Sequence, residues 1–233
     1  MNKVSILLPT RNRFDMVVNS INSLFNTCSS IENFEILIAL DNDDIETSNN
    51  LKSYLKDKTN VKLFFYERQF YRGLHNYYND LCLKSSGTSL LLWNDDAIMR
   101  SMNWDLEILN NHTNFTVLNP KVDTMEHYWR EIGVLFPIIP KEWVEVTGKM
   151  SCVPSCDSWV DVISKRLNIL TPLGSVVISH DRADVTGNNN DQTFKDGFND
   201  KFNPEFHSLF NVGFPDLLEE HYHKLNNHLN KNK

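Results

Sequence analysis

The sequence predicts an α/β fold with a mainly parallel central sheet flanked by helices. In the first half of the chain, short apolar runs alternate with amphipathic stretches, as they do where strands and helices take turns across such a sheet. Three of these apolar runs are followed directly by polar residues that can bind a ligand. Ligands of open α/β sheets lie beyond the carboxyl ends of the strands. The polar residues that follow the three apolar runs, here called the three run ends, therefore predict one binding site.

Each element of the first half has its own signal. Val4–Leu8 is a continuous apolar run that stops at Pro9, which indicates a buried strand. Apolar residues on one helical face between positions 17 and 28 predict a helix, with Asn12 or Asp15 able to cap its start. The elements that follow are predicted as strand Phe34–Leu40, helix Ile45–Leu55, strand Val61–Tyr66, helix Leu74–Leu83 and strand Ser89–Trp93.

The second half of the chain is less regular. Residues 181–205 are rich in Asn, Asp and Gly, and this composition predicts a long loop of the kind that is often functional. No linker separates two large domains, so we expect one domain over residues 1–215 and a C-terminal helical appendage over residues 216–233. The other predicted elements are strands Gly133–Ile139 and Gly174–Ser179 and helices Ser158–Leu167 and Asp216–Leu229.

Composition argues against a nucleic-acid partner and against a membrane-spanning segment. The 233 residues include 30 acidic and 23 basic side chains, for a net charge of −7, and no run of Lys or Arg. This balance is unfavourable for holding a polyphosphate backbone, so we expect no nucleic-acid partner. No apolar run approaches membrane length, and the first residues show no basic leader, so we expect no transmembrane segment and a cytoplasmic protein.

The clearest ligand signal is a pair of carboxylates, Asp95 and Asp96, directly after the apolar run Leu90–Trp93. Carboxylate oxygens suit Mg²⁺ and Mn²⁺, and such a metal keeps open positions for substrate phosphates. Taken alone, the pair is equally compatible with a solvated turn or with a cap for the next helix. The other two run ends carry Pro9-Thr10-Arg11 and Asp41-Asn42-Asp43-Asp44.

Several stretches resemble family 2 and related GT-A glycosyltransferases. Val4–Arg13, which reads VSILLPTRNR, is similar to the opening strand and nucleotide loop of that family, and Glu35–Asp41 is similar to its second element. Arg72–Asn76, leading through Gly87 into Leu90–Asp96, resembles the region before and including the DXD motif. Trp104-Asp105 resembles the segment that follows this motif. The likeness covers residues 3–110 well and the remainder loosely.

The resemblance implies a GT-A fold, with residues 1–215 as the catalytic domain. It also implies transfer of a sugar from a nucleotide-diphosphate donor, with a UDP-sugar favoured, to a growing glycan or other carbohydrate acceptor, with inversion and a divalent cation, Mn²⁺ or Mg²⁺. The sequence departs from the family at Asn94, which stands at the first Asp of the DXD motif. Metal binding therefore carries over first to Asp96 and second to Asp95, while Asn94 would reach a ribose hydroxyl or a water.

Residues of the three run ends would hold the donor. By the resemblance, Asp41 would accept a hydrogen bond from the base, and Arg11 would approach a phosphate, which a guanidinium can bind bidentately. Asp41 could instead cap the helix near Ile45, and Thr10 and Arg11 could be simple turn residues. The implied nucleotide-sugar-binding residues are Pro9, Thr10, Arg11, Asp41, Arg72, Asn76, Asn94 and Asp95.

Asp157 and His180 are the remaining candidates for catalysis. Asp157 resembles the acidic residue that opens the acceptor-side helix of the family, where a carboxylate base takes the proton of the acceptor hydroxyl. It would equally suit an N-cap, and Asp161 is the alternative base. His180 follows a predicted strand, as does a third metal ligand of several GT-A enzymes, although a single His is more often structural.

Three further residues of the second half could contact sugars. Asp191 could hold a sugar hydroxyl, order a lid or be an ordinary loop carboxylate. Trp129 or Trp159 could offer a ring on which the acceptor stacks, although most tryptophans pack in cores.

The residues leave three other functions open. A catalytically inactive nucleotide-sugar or glycan-binding domain of the same fold would explain Asn94. A transferase that acts on modified DNA bases is disfavoured by the acidic balance. A metal-dependent phosphohydrolase would also use clustered carboxylates.

Overall fold

A computed structural model describes residues 2–123, 133–181, 191–204 and 215–231. These residues form a mixed α/β fold in which an eight-stranded sheet is flanked by helices. The strands are β1 Val4–Thr10, β2 Phe34–Asp41, β3 Val61–Tyr66, β4 Ser89–Leu92, β5 Ala97–Met99, β6 Val117–Val122, β7 Ile138–Pro140 and β8 Leu170–His180. The helices are α1 Phe14–Thr27, α2 Ile45–Tyr54, α3 Leu74–Lys84, α4 Trp104–Asn111, α5 Lys141–Thr147, α6 Cys156–Leu167, α7 Gln192–Phe202 and α8 Pro215–Lys231.

The sheet is parallel in its first half and mixed in its second. Its strand order is β3-β2-β1-β4-β7-β6-β8-β5. The strands β1, β2, β3 and β4 run parallel to one another, as the sequence predicts. Beyond them, β7 runs antiparallel to both β4 and β6, β6 is parallel to β8, and β5 is antiparallel to β8. The α/β class is therefore confirmed.

Helices cover both faces of the sheet, which explains why β1 and β2 are continuously apolar. Alternate side chains of a strand point to opposite faces, so a strand buried on both faces needs apolar residues at every position. On β1, Ile6 and Leu8 join one core layer with α1, α2 and α4, whereas Leu7 joins the other layer with α3, α5 and α6. These side chains are fully buried.

The second half departs from the sequence prediction in two places. Residues 133–137 lie outside any strand, and β7 covers only Ile138–Pro140. The loop predicted over residues 181–205 contains α7, Gln192–Phe202. Asp191 is its N-cap, and the Asp191 side chain accepts a hydrogen bond from the Phe194 amide at 2.9 Å. Gly197 lowers the intrinsic helix propensity of this segment. Its missing side chain lets α7 approach the Tyr71 ring, because a Cβ there would lie 3.0 Å from that ring.

The start of α1 also differs from the prediction. Arg13 occupies the N-cap position and makes no side-chain capping hydrogen bond, so neither Asn12 nor Asp15 caps the helix. Asn12 instead has a positive φ of 54°. It therefore forms the turn between β1 and α1, because Asn tolerates the left-handed region better than most residues.

Asp105 fastens α4 to the loop before β2. It is fully buried and accepts hydrogen bonds from the Ser29 amide at 2.7 Å, the Ser30 amide at 3.1 Å and Asn33 Nδ2 at 2.8 Å. The neighbouring Trp104 is also fully buried, and its indole nitrogen donates to the Leu24 carbonyl. The Trp104-Asp105 pair therefore serves the fold.

Helix α8 packs against α5 and α6 through one apolar side. His221 is buried there between Trp143 and Trp159, with ring centroids 5.6 Å and 5.5 Å away. Burial, followed by the nearby positive charges of Lys224 and Lys149, lowers the pKa of His221 to about 4. The predicted C-terminal helix is thus present and contributes a neutral imidazole to the core.

Within the described ranges, no helix combines the length and the apolar character that a bilayer crossing requires.

Replacing Asp105 tests its role in the fold. Asp105→Ala should lower the free energy of unfolding by about 1–3 kcal/mol, because three donors lose a charged acceptor. Urea denaturation monitored by circular dichroism measures this. Glu107→Ala removes the same charge from the same helix turn and should change stability by less than about 0.5 kcal/mol. Equal losses in the two variants would contradict the assignment.

The pKa of His221 predicts an acid-sensitive fold. An unfolded histidine titrates near pH 6.5, so between pH 6.5 and 4 the unfolded chain binds the proton more readily than the folded chain. The His221 contribution to the free energy of unfolding should fall by about 2 kcal/mol from pH 7 to pH 5. His221→Phe should remove this part of the pH dependence in urea denaturation at the two pH values. An unchanged difference between pH 7 and pH 5 would contradict the burial of a neutral imidazole.

Candidate active site

The polar ends of β1, β2 and β4 meet at one edge of the sheet. Because β1 lies between β2 and β4 and all three are parallel, their carboxyl ends are neighbours. The segments that follow them are Thr10–Arg13, Asp41–Asp44 and Asn94–Asp96. The sequence therefore locates this convergence correctly, and the contacts within it come from the tertiary structure.

The turn after β1 directs two arginines to opposite sides of the site. At this turn, the Asn12 amide donates to Asp44 Oδ2 at 2.7 Å, and Asp44 Oδ1 accepts from the Thr47 amide at 3.2 Å. Asp44 is thus the cap of α2, and the alternative of a capping Asp41 is wrong. With the turn held in this way, Arg11 contacts the end of β2 and Arg13 contacts the end of β4.

Asp41 is a buried carboxylate held by two donors. Arg11 Nη1 lies 2.9 Å from Asp41 Oδ2, and the Tyr77 hydroxyl donates to Asp41 Oδ1. Arg11 is not a simple turn residue, because its guanidinium also contacts Asp43, with Nη2 3.0 Å from Oδ2. The hydrogen bond from Arg11 lowers the pKa of Asp43. Tyr77 in turn accepts from the Gln69 amide at 2.8 Å, which fixes the position of its hydroxyl.

Asp95 has both of its oxygens engaged by residues that follow or end β1. Thr10 Oγ1 donates to Oδ2 at 2.8 Å, and Arg13 Nη1 lies 2.6 Å from Oδ1. Burial raises the pKa of Asp95, and the charge of Arg13 opposes this rise. Asp95 therefore joins the end of β4 to the turn after β1.

Asp96 and His180 meet although they lie far apart in the sequence. His180 ends β8, and its backbone pairs with Ala97 at the start of β5, directly after Asp96. The pairing is extended by the Asp181 amide, which donates to the Asp96 carbonyl at 2.8 Å. As a result, His180 Nε2 lies 3.1 Å from Asp96 Oδ1. Burial raises the pKa of Asp96, but the contact with His180, the charges of His180 and Arg13 and a backbone hydrogen bond together lower that pKa below its ordinary value.

Asn94 and Tyr78 complete the surroundings of His180. Asn94 Nδ2 lies 3.3 Å from His180 Nε2, and the Tyr78 hydroxyl lies 3.0 Å from Asn94 Oδ1. The Phe136 ring packs against the imidazole with centroids 5.0 Å apart. The residue that replaces the first Asp of the motif therefore contacts the histidine directly.

The Asp96–His180 pair could supply two ligands to a divalent cation. In the described part of the chain, the buried Asp96 Oδ1 accepts no well-aligned hydrogen bond, although it faces the imidazole nitrogen. A carboxylate oxygen and an imidazole nitrogen are suitable ligands for Mn²⁺. No group of three or more His, Cys, Asp or Glu side chains among the described residues has metal-binding geometry. The pair therefore fits a metal whose other ligands come from substrate phosphates and water.

Three of the site residues, namely Arg13, Tyr77 and Tyr78, were not predicted from the sequence. Tyr77 and Tyr78 are neighbours on α3, and they reach the ends of β2 and β4 on either side of β1. Two consecutive tyrosines on the buried face of a helix were the available signal, because a buried hydroxyl usually needs a polar partner. Arg13 had no comparable signal, since its partners lie far along the chain.

Asp157 lies in the first turn of α6, where Ser155 occupies the N-cap position. The capping alternative is therefore wrong for Asp157, whose Oδ1 accepts from the adjacent Ser158 amide at 2.8 Å. Burial raises the pKa of Asp157, and the charges of His180 and Lys201 act in the opposite direction. Asp157 therefore lies within electrostatic range of His180.

The alternative base, Asp161, is occupied by structural contacts. Lys165 Nζ lies 2.8 Å from Asp161 Oδ2. Gly133 packs so closely that a Cβ there would lie 2.7 Å from the same oxygen. Asp161 Oδ2 is therefore held by structural neighbours, whereas the buried Asp161 Oδ1 has no hydrogen-bond partner among the described residues.

Two residues predicted to bind the nucleotide sugar, Arg72 and Asn76, lie at the rim of the candidate site. The two tryptophans predicted to stack on the sugar acceptor are not confirmed. Arg72 lies 3.7 Å from Asp200 on α7, and Asn76 donates to Gln69 at 3.3 Å. Neither makes a described contact with the carboxylates of the site. Trp159 is 4% exposed and packs in the core, so it cannot be an exposed platform for a sugar. Trp129 lies outside the described residues.

Comparison with known proteins gives a family match over about half of the chain. Residues 5–116 match the model of the family described as Glycosyl transferase family 2. This match ends after α4 and includes the polar ends of β1, β2 and β4. A search of curated protein sequences finds no match to this chain.

Solved glycosyltransferase structures share the fold at low sequence identity. S. aureus TarS 1–349 in complex with UDP-GlcNAc is 16% identical with a TM-score of 0.57, over 76% of this chain and 58% of that one. The mannosyltransferase PcManGT from Pyrobaculum calidifontis, in complex with GDP-Man and Mn²⁺, is 12% identical with a TM-score of 0.65, over 96% of this chain and 74% of that one. The chain thus spans less than two thirds of the TarS 1–349 structure.

Residues 5–116 are therefore similar to Glycosyl transferase family 2, and the described residues have the GT-A fold that these solved glycosyltransferases share.

Proposed function

We propose that the protein transfers a sugar from a nucleotide-diphosphate donor, with a UDP-sugar favoured, to a glycan or other carbohydrate acceptor, with inversion. The observation that carries this proposal is the Asp96–His180 contact beside the Asp41 cluster, at the carboxyl edge of the sheet. One structural neighbour is in complex with UDP-GlcNAc, and another is in complex with GDP-Man and Mn²⁺. Both neighbours support a nucleotide-sugar donor.

The donor would lie across the ends of β2, β1 and β4. Asp41 accepts a hydrogen bond from the base, and the loop Pro9–Arg11 packs beside it. Arg11 Nη1 contacts Asp41, so its guanidinium would lie beside the base and within reach of the diphosphate. Arg72 and Asn76 at the rim extend this surface where the donor projects beyond Asp41.

Asp96 and His180 would hold a divalent cation, Mn²⁺ or Mg²⁺. When bound, such a cation neutralises the negative charge that develops on the leaving diphosphate. Asn94, which contacts His180, orients the imidazole, and Tyr78 orients Asn94 in turn. Before the cation binds, Asp95 contacts Thr10 and Arg13 through its two oxygens, and it helps to place the neighbouring Asp96.

Asp157 would act as the general base on the acceptor side. The acceptor oxygen forms a bond to the anomeric carbon from the face opposite the diphosphate, and the bond from that carbon to the phosphate oxygen breaks. The acceptor proton passes to the Asp157 carboxylate, and the nucleoside diphosphate leaves. Because burial raises the pKa of Asp157, the carboxylate accepts a proton more readily than an exposed aspartate does.

A catalytically inactive nucleotide-sugar-binding domain is the second candidate. Asn94 replaces a carboxylate, and neither oxygen of Asp95 is left to a metal without displacing Thr10 or Arg13. Such a domain would bind the donor at the same place but would not turn it over. Measurements of donor turnover and of donor binding on the same samples separate the two candidates.

A panel of nucleotide sugars tests the donor site. With Mn²⁺, a UDP-sugar at 100 times its dissociation constant should stabilise the chain by about 2.7 kcal/mol and raise Tm by roughly 5–10 °C. The same donor should be hydrolysed slowly. EDTA and Asp96→Ala should each remove both effects, whereas Arg166→Gln on the surface should retain them. Binding without hydrolysis would favour the inactive domain, and stabilisation by GDP-Man alone would contradict the UDP preference.

Replacing Asp157 tests the base. Asp157→Asn should lower kcat by about 10²–10⁴-fold and leave donor binding unchanged, because a general base contributes on this scale. Asp161→Asn should retain most of kcat, and a larger loss in that variant would move the role to Asp161. The base must be ionised, so the acid limb of kcat/KM should lie above the ordinary aspartate pKa of about 3.9. An α-configured product from an α-configured donor would contradict inversion.

A further inference from the structure

Arg13 is a buried cation among three carboxylates. Its side chain is 12% exposed. Arg13 Nη1 lies 2.6 Å from Asp95 Oδ1 and 4.0 Å from Asp96 Oδ2, and Nη2 lies 2.6 Å from Asp191 Oδ2. Its Nε atom donates to the other Asp191 oxygen at 3.3 Å. The guanidinium thus joins the end of β4 to the first residue before α7.

The same carboxylates are those beside which a divalent cation would bind. Asp96 contacts Arg13 on one oxygen and His180 on the other. If a metal bound on the His180 side, the Asp96 carboxylate would contact two cations, the metal and the Arg13 guanidinium. In a buried site with low effective dielectric, their mutual repulsion weakens the binding of both.

We propose that Arg13 is the internal counter-ion of the donor site, which neutralises Asp95 and Asp96 until a divalent cation binds and takes over that role. The inference rests on the proposed function, since it needs a cation at Asp96 and His180. Arg13 then sets how tightly the chain binds the metal before the donor arrives. The displaced guanidinium turns toward the diphosphate, whose oxygens it can bind bidentately.

The exchange is coupled to α7 through Asp191. Asp191 caps α7, and both of its oxygens contact Arg13. Thr193 Oγ1 donates to the Arg11 carbonyl at 2.9 Å, so the first turn of α7 rests on the turn after β1. A movement of Arg13 therefore acts directly on the start of α7.

The rest of α7 is held by contacts that do not involve Arg13. Arg68 lies 3.5 Å from Asp196, Arg72 lies 3.7 Å from Asp200, and Gly197 packs on Tyr71. These contacts are all made to residues 68–73, before α3. The first turn should thus loosen while the remainder of α7 stays in place.

Titration of the full chain with Mn²⁺ alone tests the counter-ion role. Arg13→Gln should bind Mn²⁺ roughly tenfold more tightly than the native chain by calorimetry, because one competing charge is removed. Arg166→Gln removes the same charge from a surface pair with Glu219 and should match the native chain. Arg13→Lys keeps the charge and should also stay close to the native affinity. A lysine variant as tight as the glutamine variant would overturn the proposal.

Hydrogen exchange tests the coupling. Saturating Mn²⁺ should accelerate amide exchange in residues 192–196 of the native chain and leave residues 197–202 unchanged. In Arg13→Gln, residues 192–196 should already exchange fast without Mn²⁺, and in Arg13→Lys they should be intermediate, because lysine cannot engage both Asp191 oxygens in the same way. Unchanged exchange in the native chain on Mn²⁺ binding would overturn the coupling.

Asp96→Ala separates this inference from the proposed function. If the native chain binds Mn²⁺, Asp96→Ala does not, and Arg13→Gln binds no more tightly than the native chain, only the role of Arg13 is wrong. If neither the native chain nor any Arg13 variant binds Mn²⁺, the metal site of the proposed function is wrong, and the inference is overturned with it.

Discussion

Buried carboxylates at the ends of β2 and β4 impose the constraint on which the site depends. Asp41, Asp95 and Asp96 are each less than a tenth exposed. A buried charge is costly unless it is paired and hydrogen-bonded. The surrounding structure supplies these partners from three different segments, namely the end of β1 with the turn after it, the helix α3 and the end of β8.

The strand order makes this arrangement possible. Because β1 lies between β2 and β4, one short turn can send Arg11 to one carboxylate cluster and Arg13 to the other. From the helix α3, Tyr77 likewise contacts Asp41 at the end of β2, and Tyr78 contacts Asn94 at the end of β4. Side chains on well-packed elements hold their positions more closely than side chains on free loops do. The contacts that hold the site are therefore supported by both core layers of the fold.

The acidic side chains of the site explain why the proposed chemistry needs a cation. A nucleotide diphosphate is an anion, and a cluster of carboxylates repels it unless a cation lies between them. Arginines alone meet part of this need, and the Asp96–His180 pair offers a place for a divalent cation that meets the rest. The mixed half of the sheet contributes His180 to the site, because the pairing of β5 with β8 brings this residue to the same edge.

The sequence by itself determined the elements from β1 to β4 and the edge at which their polar ends lie. Buried parallel strands need continuous apolar runs, and Asp41 and Asn94 mark the ends of two of them without reference to any other segment, whereas β1 continues through Pro9 to Thr10. The likeness to family 2 rested on the same local stretches, which is why the family match covers that half. Tertiary structure decided what each polar residue contacts. Asp44, not Asp41, caps α2, and the capping of α7 by Asp191 reveals a helix where composition predicted a loop.

The contacts of Arg13, His180 and Asp157 could not be predicted because they depend on the packing of segments that lie far apart in the chain. Local patterns report on backbone propensity and burial, whereas the partner of a buried charge is set by the packing that excludes water from it.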